Sequence, residues 1–291
     1  MHEAMQQKSV LDFEAAFRRE RLRQRIQFLV FGLLFALATW LAADISQFTF
    51  ARLWEATPRM GDYLVRTLPE LHLMSLPGDI AYWYYGFDRW LKLLFDTLLI
   101  ALLATLFGAI GGLLLCFPAS RNLVKNYTLY FVCRRFAEIT RTVPEVVYAL
   151  IFVVAFGVGP MAGLLALTIH SIGAQAKLYS EANENIDENP LEGLRASGAN
   201  WFQVMRFGVL PQVLPNITTY TLWRMELNIR SAAIIGFVGA GGIGQELYHA
   251  ISFNYYEDIS AIVLMVVFTI SLIDLTSERL RHRIIGRENL T

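Results

Sequence analysis

DENPLEGLRASGANWFQVMRFGVLPQVLP, residues Asp187 to Pro215, is the longest polar and punctuated interval between two long apolar runs in the second half of the chain. Asn189 suits a helix N-cap, Pro190 the first turn, and Glu192 stands three residues after the cap. Gly198 suits the left-handed conformation that ends such a helix. Asn200 is placed to cap a second short helix, Trp201 to Phe207, with Gly208 and Pro211 as its stop. Two short helices joined at a glycine, between apolar runs, make a compact device for contact outside a bilayer.

Outward from this stretch the composition is that of a membrane protein. The chain has 291 residues, 55% of them hydrophobic and 17% charged, with zero formal net charge and a mean hydropathy of +0.42. Several apolar runs reach the roughly 20 residues that a helix needs to cross a bilayer. They do not alternate, which excludes a β-barrel pattern. Zero net charge gives no case for nucleic acid. The two cysteines, Cys116 and Cys133, lie in or beside apolar runs and read as small hydrophobes. The first apolar run lacks a cleavage signature and is expected to remain as a span.

Taken in order, residues 1–25 form a polar N-terminal segment whose last part, RRERLRQR, holds five arginines. That charge predicts a cytoplasmic N-terminus. Span 1 is expected over Ile26 to Ala43, followed by a long loop of mixed charge over 44–90, outside the cytoplasm. The loop ends in AYWYYGFDRW, which reads as an aromatic interface belt, or more sharply as a docking surface for an extracytoplasmic partner. Span 2 is Leu91 to Phe117. Span 3 is read as one helix through Tyr127 to Gly157, kinked at Pro144. Within it Arg134 and Glu138, and Arg141 and Glu145, are four apart and placed to pair. Span 4, Met161 to Tyr179, carries small residues for close packing and His170, read as a hydrogen-bonded packing histidine with a proton relay as the sharper alternative.

Span 5, Val213 to Phe237, holds Arg224, Glu226, Asn228 and Arg230. A charge at the bilayer centre costs roughly 2.5–3.5 kcal/mol on insertion scales, so this face belongs against another helix or a wet cavity. Glu226 and Arg230 are placed to pair. Span 6 is Ile259 to Leu275, and the basic tail over 279–291 predicts a cytoplasmic C-terminus. The expected fold is therefore an all-α polytopic membrane protein of six helices with both termini inside. The main body covers 91–278, with the punctuated stretch, 187–212, on the cytoplasmic side.

The loop Gly239-Ala-Gly241-Gly242-Ile-Gly244 matches G-x-G-x-x-G by spelling. A dinucleotide site needs a parallel sheet and an acidic residue about 20 positions later, and neither is expected here. Glycines at the mouth of a span serve close helix approach, or leave amides free to meet a passing anion. No P-loop, catalytic triad, HExxH or CxxC pattern occurs, and no metal spacing. The chain has no cofactor or nucleotide site of its own.

The second short helix places Trp201, Val204, Met205 and Gly208 on one apolar face, fit for a groove on a partner. Here a resemblance emerges. Glu192, Gly198 and Leu210-Pro211 keep the spacing of the EAA loop of ABC importer permeases, E-A-A-x3-G-x9-I-x-L-P, whereas Gly193 and Leu194 replace its alanines and Gly208 its isoleucine. Over roughly Thr140 to Glu246, the strings TRTVPEVVYALIFVVAFGVGP, LPQVLP and RSAAIIGFVGAGGIGQEL resemble phosphonate-type importer permeases.

This resemblance implies a methionine-permease-like core of five helices plus one N-terminal helix, in a bacterial inner membrane. It implies a homodimer, two ABC ATPase subunits that carry ATP and Mg, and an extracytoplasmic binding protein that delivers an organophosphonate, phosphite or phosphate ester. Glu192, Gly198, Trp201, Val204, Met205, Leu210 and Pro211 would couple to the ATPase. Arg141, Arg224, Glu226, Arg230 and the glycines 239, 241, 242 and 244 are the pore or gate candidates. A methionine importer is the nearest rival. An ion-coupled carrier using Glu226 and His170 is a more distant one, and an embedded enzyme lacks a catalytic constellation.

Overall fold

The computed structural model describes the backbone of residues 2–288 and the side chains of residues 17–279. It divides into two units, Met1–Val65 and Arg66–Thr291. The basic tail expected over 279–291 lies, beyond Arg279, outside the described side chains, as do residues 1–16 of the polar N-terminal segment.

The first unit is helical. α1 spans His2–Ile45, and its segment Phe17–Ile45 is long and apolar enough to cross a membrane. Where a loop is expected, α2 forms over Phe50–Thr67. Its charged residues recur at helical spacing, a pattern masked by their mixed sign.

The second unit opens with α3, Leu76–Trp83, and α4, Phe87–Cys116. α5, Tyr127–Thr142, begins at Asn126, whose side chain accepts hydrogen bonds from the amides of Thr128 and Leu129. α6 is Glu145–Phe156 and α7 is Pro160–Glu184. Next come α8, Asn189–Ala196, the short α9, Trp201–Gln203, and α10, Leu210–Ile235. α11, Ile243–Ser252, and α12, Tyr256–Glu288, complete the order.

α7 is the centre of this unit. It packs on α4, α5, α6 and α10. Close approach to α4 depends on Gly108 and Gly112: a Cβ on Gly112 would stand 2.9 Å from Gln175 Cβ and 3.1 Å from the Ala176 amide. This is a small-residue seam of the kind membrane helices use in place of hydrophobic drive. The glycines of α7 itself serve other neighbours. Gly163 faces the Ala240 carbonyl, and Gly173 faces α5 at Ala137 and Arg141.

Two expectations change. Span 3 is no kinked helix. α5 and α6 meet at 86°, a broken span or re-entrant loop. Val143 leaves the helix in an extended conformation, as the residue before a proline prefers. The count of six spans also exceeds what apolarity alone supports. Among the described residues three helices pass alone, and five segments if each bent pair is one span, the second pair being Trp201–Val238 with Ile243–Ser252. The difference is α7. Sheathed by other helices, it carries buried Ser171, Gln175, Ser180 and Asn183, which lower its hydropathy without exposing polar groups to lipid.

Candidate functional site

The predicted residues gather in two places. The first is the Asp187–Pro215 stretch. Asp187 Oδ1 accepts from the Asn189 amide at 3.1 Å and from Asn189 Nδ2 at 2.8 Å. Asn189 is thus the first helical residue, not the cap: Asp187 takes its amide, and Glu188 at the N-cap position makes no side-chain cap bond. α8 ends at Gly198, which has φ +84° as expected. Asn200 forms a full capping box with Gln203, the two bonds measuring 3.0 and 2.8 Å.

The expected stop at Gly208 and Pro211 does not occur. From Val204 to Val209 the helix widens into a π turn and continues as α10. Pro211 then falls at the start of α10, directly after the π turn.

The apolar face is also turned the other way from expectation. Val204 and Met205 are 3% and 5% exposed and join Leu191, Val209 and Val213 in a core with Tyr179 of α7 and Cys116 of α4. Gly208 is buried against Leu194 and Leu191. Space at Gly208 lets α8 fold onto the π turn, so the apolar stripe is consumed inside the chain. The outward surface is instead Glu192, Gly193, Arg195, Ala196, Ser197 and Gly198, with Phe202 77% exposed and Trp201 half-exposed. Leu210 is partly buried and Pro211 exposed.

Two fixings were not legible in advance. Gln212 Nε2 donates to Gly208 O at 2.8 Å and Asp187 O at 3.2 Å, while its Oε1 accepts from the Asp187 amide at 3.0 Å. Trp201 Nε1 donates to Leu123 O at 3.3 Å. Between the 118–126 loop and this knob lies a groove of about 990 Å³, edged by Arg121, Lys125 and Arg195.

The second place is the break between α5 and α6. Arg134 and Glu138 do pair, at 3.7 Å. Arg141 and Glu145 are divided by the break: Glu145 accepts a short hydrogen bond from Ser231 of α10 and stands 3.7 Å from His170 Nε2. His170 Nδ1 lies 3.0 Å from Val143 O, so this histidine braces the break as a packing group. Arg224 is buried and donates through Nε to Ser171 Oγ at 3.1 Å. Asn228 Nδ2 bonds Ser171 Oγ and Thr105 Oγ1, each at 2.9 Å, which ties α10 to α7 and α4. Glu226 is buried on the same helix. Arg230 is directed to Asp274 of α12, at 2.9 Å. Arg141 is exposed beside the break.

The glycine-rich loop is a bolt. Gly239, Gly241 and Gly242 have φ of +84°, +82° and +74°. Gly239 O accepts from the Gly159 amide at 2.9 Å, and the Ile243 amide donates to Thr97 Oγ1 at 2.8 Å. Gly244 is packed on the Ala233 carbonyl. Gly241, Gly242 and Gly244 are buried, so close approach, and not free amides, accounts for them. At the same end Trp83 Nε1 donates to Glu257 O at 3.0 Å, and Tyr85 donates to Asp258 at 2.8 Å. Part of the aromatic belt thus pins the start of α12.

Residues 104–287 match the family model described as binding-protein-dependent transport system inner membrane component. The phosphite transport system permease protein PtxC of Stutzerimonas stutzeri is 36% identical over 221 residues, 75% of this chain and 79% of that one. PhnE2 of Escherichia coli, named for a cryptic phosphonate transport system, is 47% identical over 122 residues, 42% of this chain and all of that one. An inward-facing structure of the MetNI methionine ABC transporter has a similar fold, with TM-score 0.58 and 22% identity over 67% of this chain and 95% of that one. The chain belongs to the family of binding-protein-dependent transport system inner membrane components, as a transporter subunit that is not itself the catalyst.

Proposed function

We propose that this chain is the permease subunit of an ATP-driven importer of organophosphonates, with phosphite and phosphate esters as related cargo. It works as a homodimer of six-span subunits in a bacterial inner membrane, both termini cytoplasmic. Each α8–Gly198–α9 knob seats an ABC ATPase, which carries ATP and Mg. An extracytoplasmic binding protein delivers the anion.

The observation that carries this reading is the construction of the knob. Its outer face is free, whereas its inner face is locked to α7 and α4 by one apolar core and to α10 by the unbroken π turn. A push on Glu192 to Gly198 therefore reaches the helix that carries Arg224 and Arg230. Arg141, exposed beside the α5–α6 break, is the arginine best placed to meet an anion crossing between two subunits. Arg224 braces the interior.

The test is reconstitution of the chain with its ATPase and binding protein in vesicles. Labelled phosphonate should accumulate only with ATP, persist with an uncoupler present, and be competed by phosphite and phosphate esters but not by methionine. Uptake that survives without ATP, or competition by methionine alone, would overturn the energy source or the cargo respectively.

A further inference from the structure

α2, Phe50–Thr67, is sharply two-sided. Arg52, Glu55, Arg59, Asp62 and Arg66 follow one another by three or four residues and fall on one narrow strip of the helix. The three arginines, seven apart, align along it. The rest of the circumference holds Phe50, Leu53, Trp54, Met60, Leu64 and Val65, all exposed, with Trp54 at 81%. An apolar face of this breadth on an 18-residue helix is not left in water.

We infer that α2 lies in the plane of the membrane, its apolar face in the headgroup–acyl boundary of the leaflet where α1 emerges, with phospholipid as the occupant. Continuity with α1 supports this choice. Phe17–Ile45 is long and apolar enough to cross, and only residues 46–49 separate it from α2. That turn is closed by bonds from the Ser46 amide to Ala42 O at 3.0 Å and from the Phe48 amide to Ala43 O at 2.9 Å. Arg52 Nη1 donates back to Gln47 Oε1 at 2.8 Å. The start of α2 is thereby held at the height where the span leaves the hydrocarbon.

Charge agrees. Three arginines against two carboxylates leave the strip cationic, suited to anionic headgroups, and aromatic Phe50 and Trp54 suit the interfacial layer. Pro58, inside α2, removes an amide and frees the Trp54 carbonyl, which water or headgroups at an interface satisfy.

The test is nitroxide labelling of the full chain, assembled with its ATPase, in nanodiscs of phosphatidylethanolamine and phosphatidylglycerol. Cys133 is replaced by alanine; Cys116 is buried and stays. Single cysteines are placed as Trp54→Cys, Leu64→Cys and Arg59→Cys. Power saturation should give several-fold greater collision with oxygen than with a nickel chelate at positions 54 and 64, and the reverse at 59. Equal nickel access at all three overturns the inference, since α2 then stands in water. Shielding of 54 and 64 from both reagents also overturns it, because protein then covers the face, whether a second copy or a binding protein. The two apolar-face labels are independent, so failure of one variant to accumulate leaves the other to decide.

Discussion

Gly208 stands directly beneath Leu194: a Cβ added to Gly208 would lie 3.0 Å from Leu194 Cδ1 and 3.3 Å from Leu191 Cδ1. This contact seats α8 on the π turn, at the position where the EAA motif has isoleucine. The methyl of Gly208→Ala meets the far end of a flexible side chain and should be absorbed. Gly208→Ile should overpack the joint, at about 1–3 kcal/mol, and tilt the knob. The expected outcome is near-normal melting and uptake for alanine and a loss of both for isoleucine. An isoleucine variant with unchanged melting would mean that α8 is not seated as described.

Gly198 makes a different demand. Its φ of +84° disfavours side chains, but nothing lies within 4 Å of an added Cβ. Strain and clash are therefore separable. Gly198→Ala should cost about 1–2 kcal/mol and Gly198→Asn less, since asparagine tolerates this conformation. Gly198→Asp also adds a charge to the exposed face proposed to meet the ATPase. It should insert normally and abolish coupled transport, whereas Gly198→Asn should retain most of it. The measurement is uptake per ATP hydrolysed in vesicles, and equal ratios for Asp, Asn and wild type would count against the coupling role.

Much of this was legible in the sequence because its causes are local. The cap at Asn200, the turn at Gly198 and the apolar length of α1, α4 and α12 each depend on residues within a few positions. What was hidden depends on distant neighbours. Pro144 marks a weak point, but the 86° angle there involves His170 of α7 and Ser231 of α10, which hold its two sides. The apolar period of Trp201, Val204 and Met205 was visible. Its inward direction was not, because that depends on Tyr179 and Cys116. α2 shows the opposite failure: its pattern was local, and its mixed charge disguised it as a loop.

The pore arginines can be ranked by their partners. Arg230 is half-exposed in an ion pair with Asp274. Arg230→Gln leaves Asp274 without its partner, and unchanged uptake in that variant would remove Arg230 from the anion's path. Arg224 is buried against Ser171, so Arg224→Gln should lower the melting temperature as well as uptake. Arg141→Gln should lower uptake with little effect on melting, since its side chain is exposed. Equal loss of stability in the Arg141 and Arg224 variants would contradict this division into path and brace.

The seam between α4 and α7 gives a test with an internal control. On Gly112 a Cβ would press on the Ala176 backbone at 3.1 Å, and on Gly111 it would meet the Ile172 side chain at 2.7 Å. A side chain can swing away, but backbone in a packed helix cannot. Gly112→Val should therefore force α4 and α7 apart and sharply reduce folded protein in size-exclusion profiles taken at rising temperature. Gly111→Ala should be milder, because the added methyl meets only side-chain atoms of Ile172 and no backbone. Gly32 of α1 has nothing within 4 Å, so Gly32→Val should leave the profile of the subunit unchanged. If Gly32→Val proved as damaging as Gly112→Val, the loss would come from valine in an apolar helix and not from the seam.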